Sequence, residues 1–158
     1  VSISPGTRDR LTAGLSRIVR TGRHLSVRAA DAINGPLPSF GWALLVPLEQ
    51  GGEQRSSALA ARAGVDVSVA SRQLATLERS GYVERRPDPA DGRAVLLHLT
   101  EAGARALAAT RALRCEWAAA ALADWDEEDA RQLGRLLERL AGDLDRAVVA
   151  APAARAPS

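Results

Sequence analysis

The 158-residue chain has no lysine, no methionine and a single cysteine, and aromatic side chains make up only 3% of it. Each absence removes a possibility. One thiol, Cys115, cannot close an internal disulfide, so the chain suits a reducing compartment and is expected in the cytoplasm. No stretch of about 18 uncharged apolar residues occurs, which argues against a membrane-spanning helix, and no charged-then-apolar leader opens the sequence. The sequence contains no phosphate-cradling glycine loop, no nucleophile elbow and no paired His–carboxylate motif, so no enzymatic activity is expected. His24, His98 and Cys115 are scattered, without Cys-x-x-Cys or His-x-x-x-His spacing, so neither a metal site nor a cofactor is expected. Scarce large apolar groups leave little burial per residue, and helices that share a core with a second copy would remedy this.

What the chain does have is arginine, as its only strong base. The guanidinium is permanently charged, and its planar fork suits phosphate, guanine and narrow minor grooves. The net charge of +2 hides a polarity along the chain. Residues 1–30 hold six arginines against one aspartate, whereas residues 116–146 hold nine acids against four arginines. The two ends are therefore charge-complementary.

Apolar periodicity gives the element order. Leu11, Leu15, Ile18, Val19, Leu25, Ala29 and Ile33 recur three or four apart, predicting a helix from about Thr7 to Ile33 that Gly14 and Gly22 interrupt and Asn34-Gly35-Pro36 stops. A second helix is predicted over Ser39–Gln50, N-capped by Ser39 and kinked or shortened by Pro47. Ser56–Ala63 reads as a short helix closed by Gly64; Asp66 then caps a helix Val67–Arg79 that Gly81 terminates. Two short helices across a tight turn make a helix-turn-helix pattern. Tyr82–Arg86 and Ala94–Leu99 read as hairpin strands, with Asp91-Gly92 supplying the turn. Thr100 caps a helix to about Ala123, and Asp126 begins another with Leu133, Leu136, Leu137, Leu140 and Leu144 as its stripe. Residues 151–158 read as a disordered tail.

Residues 59–103, LAARAGVDVSVASRQLATLERSGYVERRPDPADGRAVLLHLTEAG, resemble the winged helix-turn-helix core of the MarR family of bacterial transcription regulators. Leu59-Ala60 and Gly64-Val65 carry the resemblance at the first helix and turn. Leu77-Glu78 and Gly81 follow, then Asp91-x-Arg93 in the wing and Leu99-Thr100-Glu101-Ala102-Gly103 at the next helix. The resemblance implies a mainly α fold with a small β-hairpin. A winged lobe over about 39–99 would be flanked by dimerisation helices at about 7–34 and 101–148, all within one domain over 1–150. It also implies a homodimer that binds double-stranded DNA at an imperfect palindrome, with two recognition helices about one or two DNA turns apart. Such a regulator is more often a repressor, released when a small aromatic or phenolic effector binds. Two alternatives stand beside it: a winged-helix dimer serving as a protein-interaction scaffold, and a metal-responsive regulator.

Residue patterns name the contacts. In Val67–Arg79, Ala70, Leu74 and Leu77 share the inward stripe, so Ser68, Ser71, Arg72 and Ala75 point outward. Small outward side chains let a helix approach a major groove closely. Ser68 and Ser71 suit phosphate or a base edge, and Arg72 can fork onto guanine unless Asp66 or Glu78 holds it. Gln73 borders the buried stripe, and Val69, Arg55 and Ser56 complete the set on that side. In the wing, Arg93 is the expected minor-groove residue, and Asp91 is read as an orienting partner for Arg72 or Arg93. Arg85 and Arg86 alternate across the strand, so only one can face DNA fully. Residues 53–98 hold seven arginines and six acids, so unspecific attraction should be modest and placed contacts should carry binding. His24, Phe40, Trp42 and Trp117 are the polar or aromatic residues expected near an effector cavity. Cys115, mid-way along its helix, is expected to be a buried, inert thiol.

Overall fold

The computed structural model describes residues 3–28, 34–38 and 40–150, and within them omits the side chains of 23–28, 145 and 148–150. The elements are α1 (Pro5–Arg28), α2 (Gly41–Gly51), α3 (Ser56–Ala63), α4 (Val67–Arg79), β1 (Val83–Asp88), β2 (Asp91–Leu99), α5 (Glu101–Ala121) and α6 (Glu127–Ala150). The chain divides into two compact units, Val1–Trp117 and Ala118–Ser158.

The core of the first unit is built almost wholly from leucine and alanine. Leu44, Leu45 and Leu48 of α2 meet Leu59 and Ala60 of α3, Ala70, Leu74 and Leu77 of α4, Val83 and Leu97 of the hairpin, and Ala106 and Leu107 of α5. Fully burying each leucine is worth about 1.5–3 kcal/mol, which makes this cluster the main stabilising feature of the lobe. Thr110 lies wholly inside, its single hydroxyl proton within reach of two carbonyls, Asn34 at 2.6 Å and Ala106 at 3.0 Å.

Helix ends follow the predicted punctuation, with corrections. Gly64 closes α3 at φ 65°, and Gly81 ends the α4 turn at φ 73°, a left-handed conformation that other residues adopt at a cost. The Thr100 hydroxyl accepts from the Gly103 amide at 3.0 Å, so the predicted cap forms, and Asp126, expected to begin the last helix, accepts from the Asp129 amide at 2.7 Å. Asp66 occupies the N-cap position of α4, but its side chain makes no capping bond. Gly14 and Gly22 do not interrupt α1, and Pro47 does not shorten α2, which runs on to Gly51. The predicted cap Ser39, the predicted last turn of the first helix at Ala29–Ile33 and the tail 151–158 lie outside the described residues.

The hairpin is longer than predicted. The antiparallel register runs from Val83 opposite Leu99 to Pro87 opposite Val95, then shifts so that Asp88 faces Asp91. The chain reverses at Pro89-Ala90, leaving Asp91-Gly92 within β2, and Gly92 has no left-handed φ. The sequence signal misled because Asp-Gly marks a turn only where positive φ is needed. Here the extra residues Gly92, Arg93 and Ala94 are absorbed as a bulge in β2 opposite Pro87 and Asp88. A third segment joins this sheet unannounced by any hydrophobic pattern: Gln54 bridges Leu97, its amide bonding the Leu97 carbonyl at 3.2 Å and its carbonyl receiving the Leu97 amide at 2.8 Å.

Apolar side chains outside the core remain open. Leu11, Ile18 and Val19 on α1, Trp117 on α5, and Leu136, Leu137 and Leu144 on α6 are all exposed. Cys115 is exposed as well, contrary to expectation, because its stretch of α5 lies beyond the residues that pack on the core.

Candidate nucleic-acid interface

The α4 helix presents two faces. Ala70, Leu74 and Leu77 are completely buried, whereas Ser68, Ser71 and Arg72 are exposed and Val69, Gln73 and Ala75 are intermediate. The inward stripe and the outward placing of Ser68, Ser71 and Arg72 made from spacing coincide with the geometry, whereas Ala75, expected outward, is half-buried.

The arginines of the lobe fall into two groups. Arg55 donates through Nε and Nη2 to one oxygen of Asp88 at 3.2 and 2.6 Å, and its Nη2 also lies 3.5 Å from Asp91. Arg85 donates to Glu78 at 2.9 Å. Arg86 donates to Glu84 at 2.7 Å and to Glu53 at 3.0 Å, and His98 Nδ1 lies 3.1 Å from the same Glu53 oxygen. These pairs engage five of the six acids in residues 53–98, leaving Asp66 unpaired among the described residues. Among the described residues Arg62, Arg72, Arg79 and Arg93 form no ion pair: Arg62 bonds the Gln54 amide oxygen, and Arg79 bonds the Thr76 hydroxyl. Neither Asp66 nor Glu78, the acids that could have tied up Arg72, does so. A nearly neutral lobe thus keeps two unpaired arginines at its outward helix face and at its wing.

Asp91 orients neither Arg72 nor the Arg93 guanidinium. Its Oδ1 instead accepts from the Arg93 amide at 3.1 Å, while Oδ2 faces Arg55. Asp88, which no sequence pattern singled out, is buried at 9% exposure near a hairpin tip whose neighbours are open. Its Oδ1 accepts from the Ala90 amide at 2.9 Å. The Arg55 hydrogen bond, followed by that of the Ala90 amide, holds the Asp88 carboxyl below its ordinary value, and the same bond raises the Arg55 guanidinium.

Of the four residues expected at an effector cavity, the three whose side chains are described do not line one pocket. Phe40 and Trp42 pack half-buried on the lobe core. Arg114 stacks on Trp42 at 4.1 Å from its centroid and donates to the Asn34 side chain at 3.0 Å; burial pushes its guanidinium down. Trp117 instead lines an apolar groove of about 260 Å³ with Arg17, Ile18, Thr21 and Gly22. The His24 side chain lies outside the described residues. Among the described residues no group of three His, Cys, Asp or Glu side chains could hold a metal ion, and no helix is long and apolar enough to cross a membrane.

Helix, tight turn, second helix with a small-residue outer face, then a β-hairpin carrying near its tip an arginine with no ion pair among the described residues: these define a winged helix-turn-helix protein. A family model for the MarR family matches residues 41–95. The chain is 34% identical to an HTH-type transcriptional regulator of Mycobacterium bovis over 89% of its own length and 93% of that protein's. Among solved structures, the crystal structure of MarR superposes with a TM-score of 0.72 at 26% identity, covering 86% of this chain and 91% of that one. The PcaV transcriptional regulator from Streptomyces coelicolor, crystallised with its natural ligand, shares the fold with a TM-score of 0.63 at 22% identity over 90% of this chain and 97% of that one. The chain belongs to the MarR family, whose members are DNA-binding transcription regulators.

Proposed function

We propose that this chain acts as a homodimer on an imperfect palindrome, as a repressor that lets go of DNA when a small aromatic molecule binds. The α4 helix enters the major groove with Ser68 and Ser71 on phosphate or base edges and Arg72 forked onto a guanine, and the wing delivers Arg93 to the adjacent minor groove. The observation that carries this reading is the sorting of charge: the acids of the lobe neutralise Arg55, Arg85 and Arg86, while Arg72 and Arg93, like Arg62 and Arg79, form no ion pair among the described residues. Arg85 and Arg86 would then set the local charge balance rather than touch DNA. Dimerisation is supported by the uncovered apolar side chains of α1, α5 and α6, and by the opposite charge of the two chain ends.

The Trp117 groove supports the effector reading: it is mostly apolar, offers an indole to stack on, and has Arg17 at its edge for an anionic substituent. PcaV, of the same fold, is a regulator crystallised with a natural ligand. In-vitro selection of bound duplexes from a random pool tests the DNA reading. The expected product is a two-fold-related pair of half-sites spaced by whole helical turns, with affinity falling steeply as salt rises. A pool that returns no enriched sequence, with binding insensitive to salt, favours an interaction scaffold instead.

A further inference from the structure

The burial of Asp88 needs a reason. A carboxylate at the tip of a two-stranded hairpin would ordinarily be solvated; in β1 only Val83, at the base, and Asp88, at the tip, are buried. A buried charge is tolerated only when paired, and its partner Arg55 comes from outside the hairpin, from the residue that precedes α3. Gln54, one residue earlier, is bonded through its backbone to Leu97 in β2. The segment 54–55 therefore grips the hairpin twice, by main chain part-way along the ladder and by a side chain at the tip. The second grip extends further. Arg55 also faces Asp91, whose other oxygen holds the amide of Arg93 inside the bulge. From the residue that precedes the first helix of the helix-turn-helix, contacts run through Asp88 to the Ala90 amide at the tip and through Asp91 to the backbone of the wing arginine.

We infer that Arg55 and Asp88 are positioning residues, a brace that fixes the wing tip relative to the helix-turn-helix so that Arg93 and Arg72 reach two grooves at once, and that Arg55 is not itself a DNA contact. The inference rests on the proposed DNA-binding mode. It assigns Arg55 a role opposite to the one its charge suggests. A guanidinium gripped through Nε and Nη2 keeps only its Nη1 edge for phosphate, and freeing it would add a cation while loosening the wing. The brace lowers the ordering required when DNA binds, so its loss appears as weaker binding without loss of a counterion-releasing contact.

The test uses the full chain with a selected duplex, comparing wild type with Asp88→Asn, Arg55→Gln, Arg93→Ala and the Asp88→Asn/Arg93→Ala double variant. Asparagine can keep one oxygen as the acceptor for the Ala90 amide, and it removes both the charge and the second acceptor oxygen that Arg55 uses. Asp88→Asn and Arg55→Gln are expected to weaken binding about tenfold each, with the slope of log affinity against log salt unchanged. The double variant should lose little more than Arg93→Ala alone, because Asp88 acts through Arg93. In the free protein, the amides of Ala90 and Arg93 should exchange faster in Asp88→Asn, a readout that needs no DNA. Equal or tighter binding by Asp88→Asn overturns the brace, as does a slope that falls by about 0.9 in Arg55→Gln, the signature of a lost phosphate contact. Unchanged wing exchange in Asp88→Asn overturns it without reference to DNA, whereas wild-type protein that selects no duplex overturns the DNA reading.

Discussion

Arginine is the only strong base in this protein, so the meaning of each one comes from its neighbours rather than its type. Arg85 and Arg86 stand beside Arg93 in one hairpin, yet each is matched with a carboxylate, and Arg93 is not. Arg72→Ala should cost about 1–3 kcal/mol in operator binding and relax preference at a single base pair, measured by titrating duplexes that vary at that position. Equal losses on every duplex would make Arg72 a phosphate contact. Arg93→Ala should weaken binding while sedimentation still reports a dimer. A pH effect belongs to Asp88. Its folded value is depressed below the ordinary 3.8, chiefly by Arg55, so its contribution is complete above that ordinary value and is lost as pH falls through the depressed one. Amide protection at the wing tip should stay level from neutrality down to about pH 4 and fall only in stronger acid, with Asp88→Asn lacking that acid transition.

At the scale of elements, two glycines separate packing from turn geometry. A methyl at Gly103 would sit 2.2 Å from the Tyr82 carbonyl and 2.8 Å from Leu99, where α5 crosses the hairpin base, whereas one at Gly92 meets nothing. Gly103→Ala should destabilise the fold by about 1–3 kcal/mol in thermal unfolding, and Gly92→Ala should stay within about 0.5 kcal/mol. This contrast also shows what the sequence could and could not reveal. The α4 stripe was legible because helical spacing and burial are the same fact: Ala70, Leu74 and Leu77 lie one turn apart on a face that must go inside. Helix ends were legible where a glycine has to adopt positive φ, as at Gly64 and Gly81. The wing was not fully legible, since Asp91-Gly92 looks like a turn whether the chain reverses there or two residues earlier. Asp88, its pairing with Arg55 and the Gln54–Leu97 bridge escaped because pairings across more than thirty residues leave no local period. The charge count suggested weak DNA attraction, and only the geometry separated the paired arginines from the unpaired ones.

For the whole molecule, the decisive quantity is the apolar surface left over. A chain with so few large side chains leaves Ile18 at 64% and Leu136 at 54% exposure, alongside Leu137 and Leu144. Isolated apolar residues on a surface are ordinary, but a helix carrying several at helical spacing marks a face meant for a partner. Leu137→Glu combined with Leu144→Glu should shift the protein toward monomer in sedimentation and abolish the preference for two half-sites over one. A monomeric wild type that binds a palindrome no better than a single half-site would refute the dimer. The exposure of Cys115 offers a direct test of the proposed assembly. Because no second thiol competes, a nitroxide coupled there tags every copy once, and dipolar spectroscopy on the unmutated protein would read the span between two tags, with and without duplex, as a ruler for how far the halves spread.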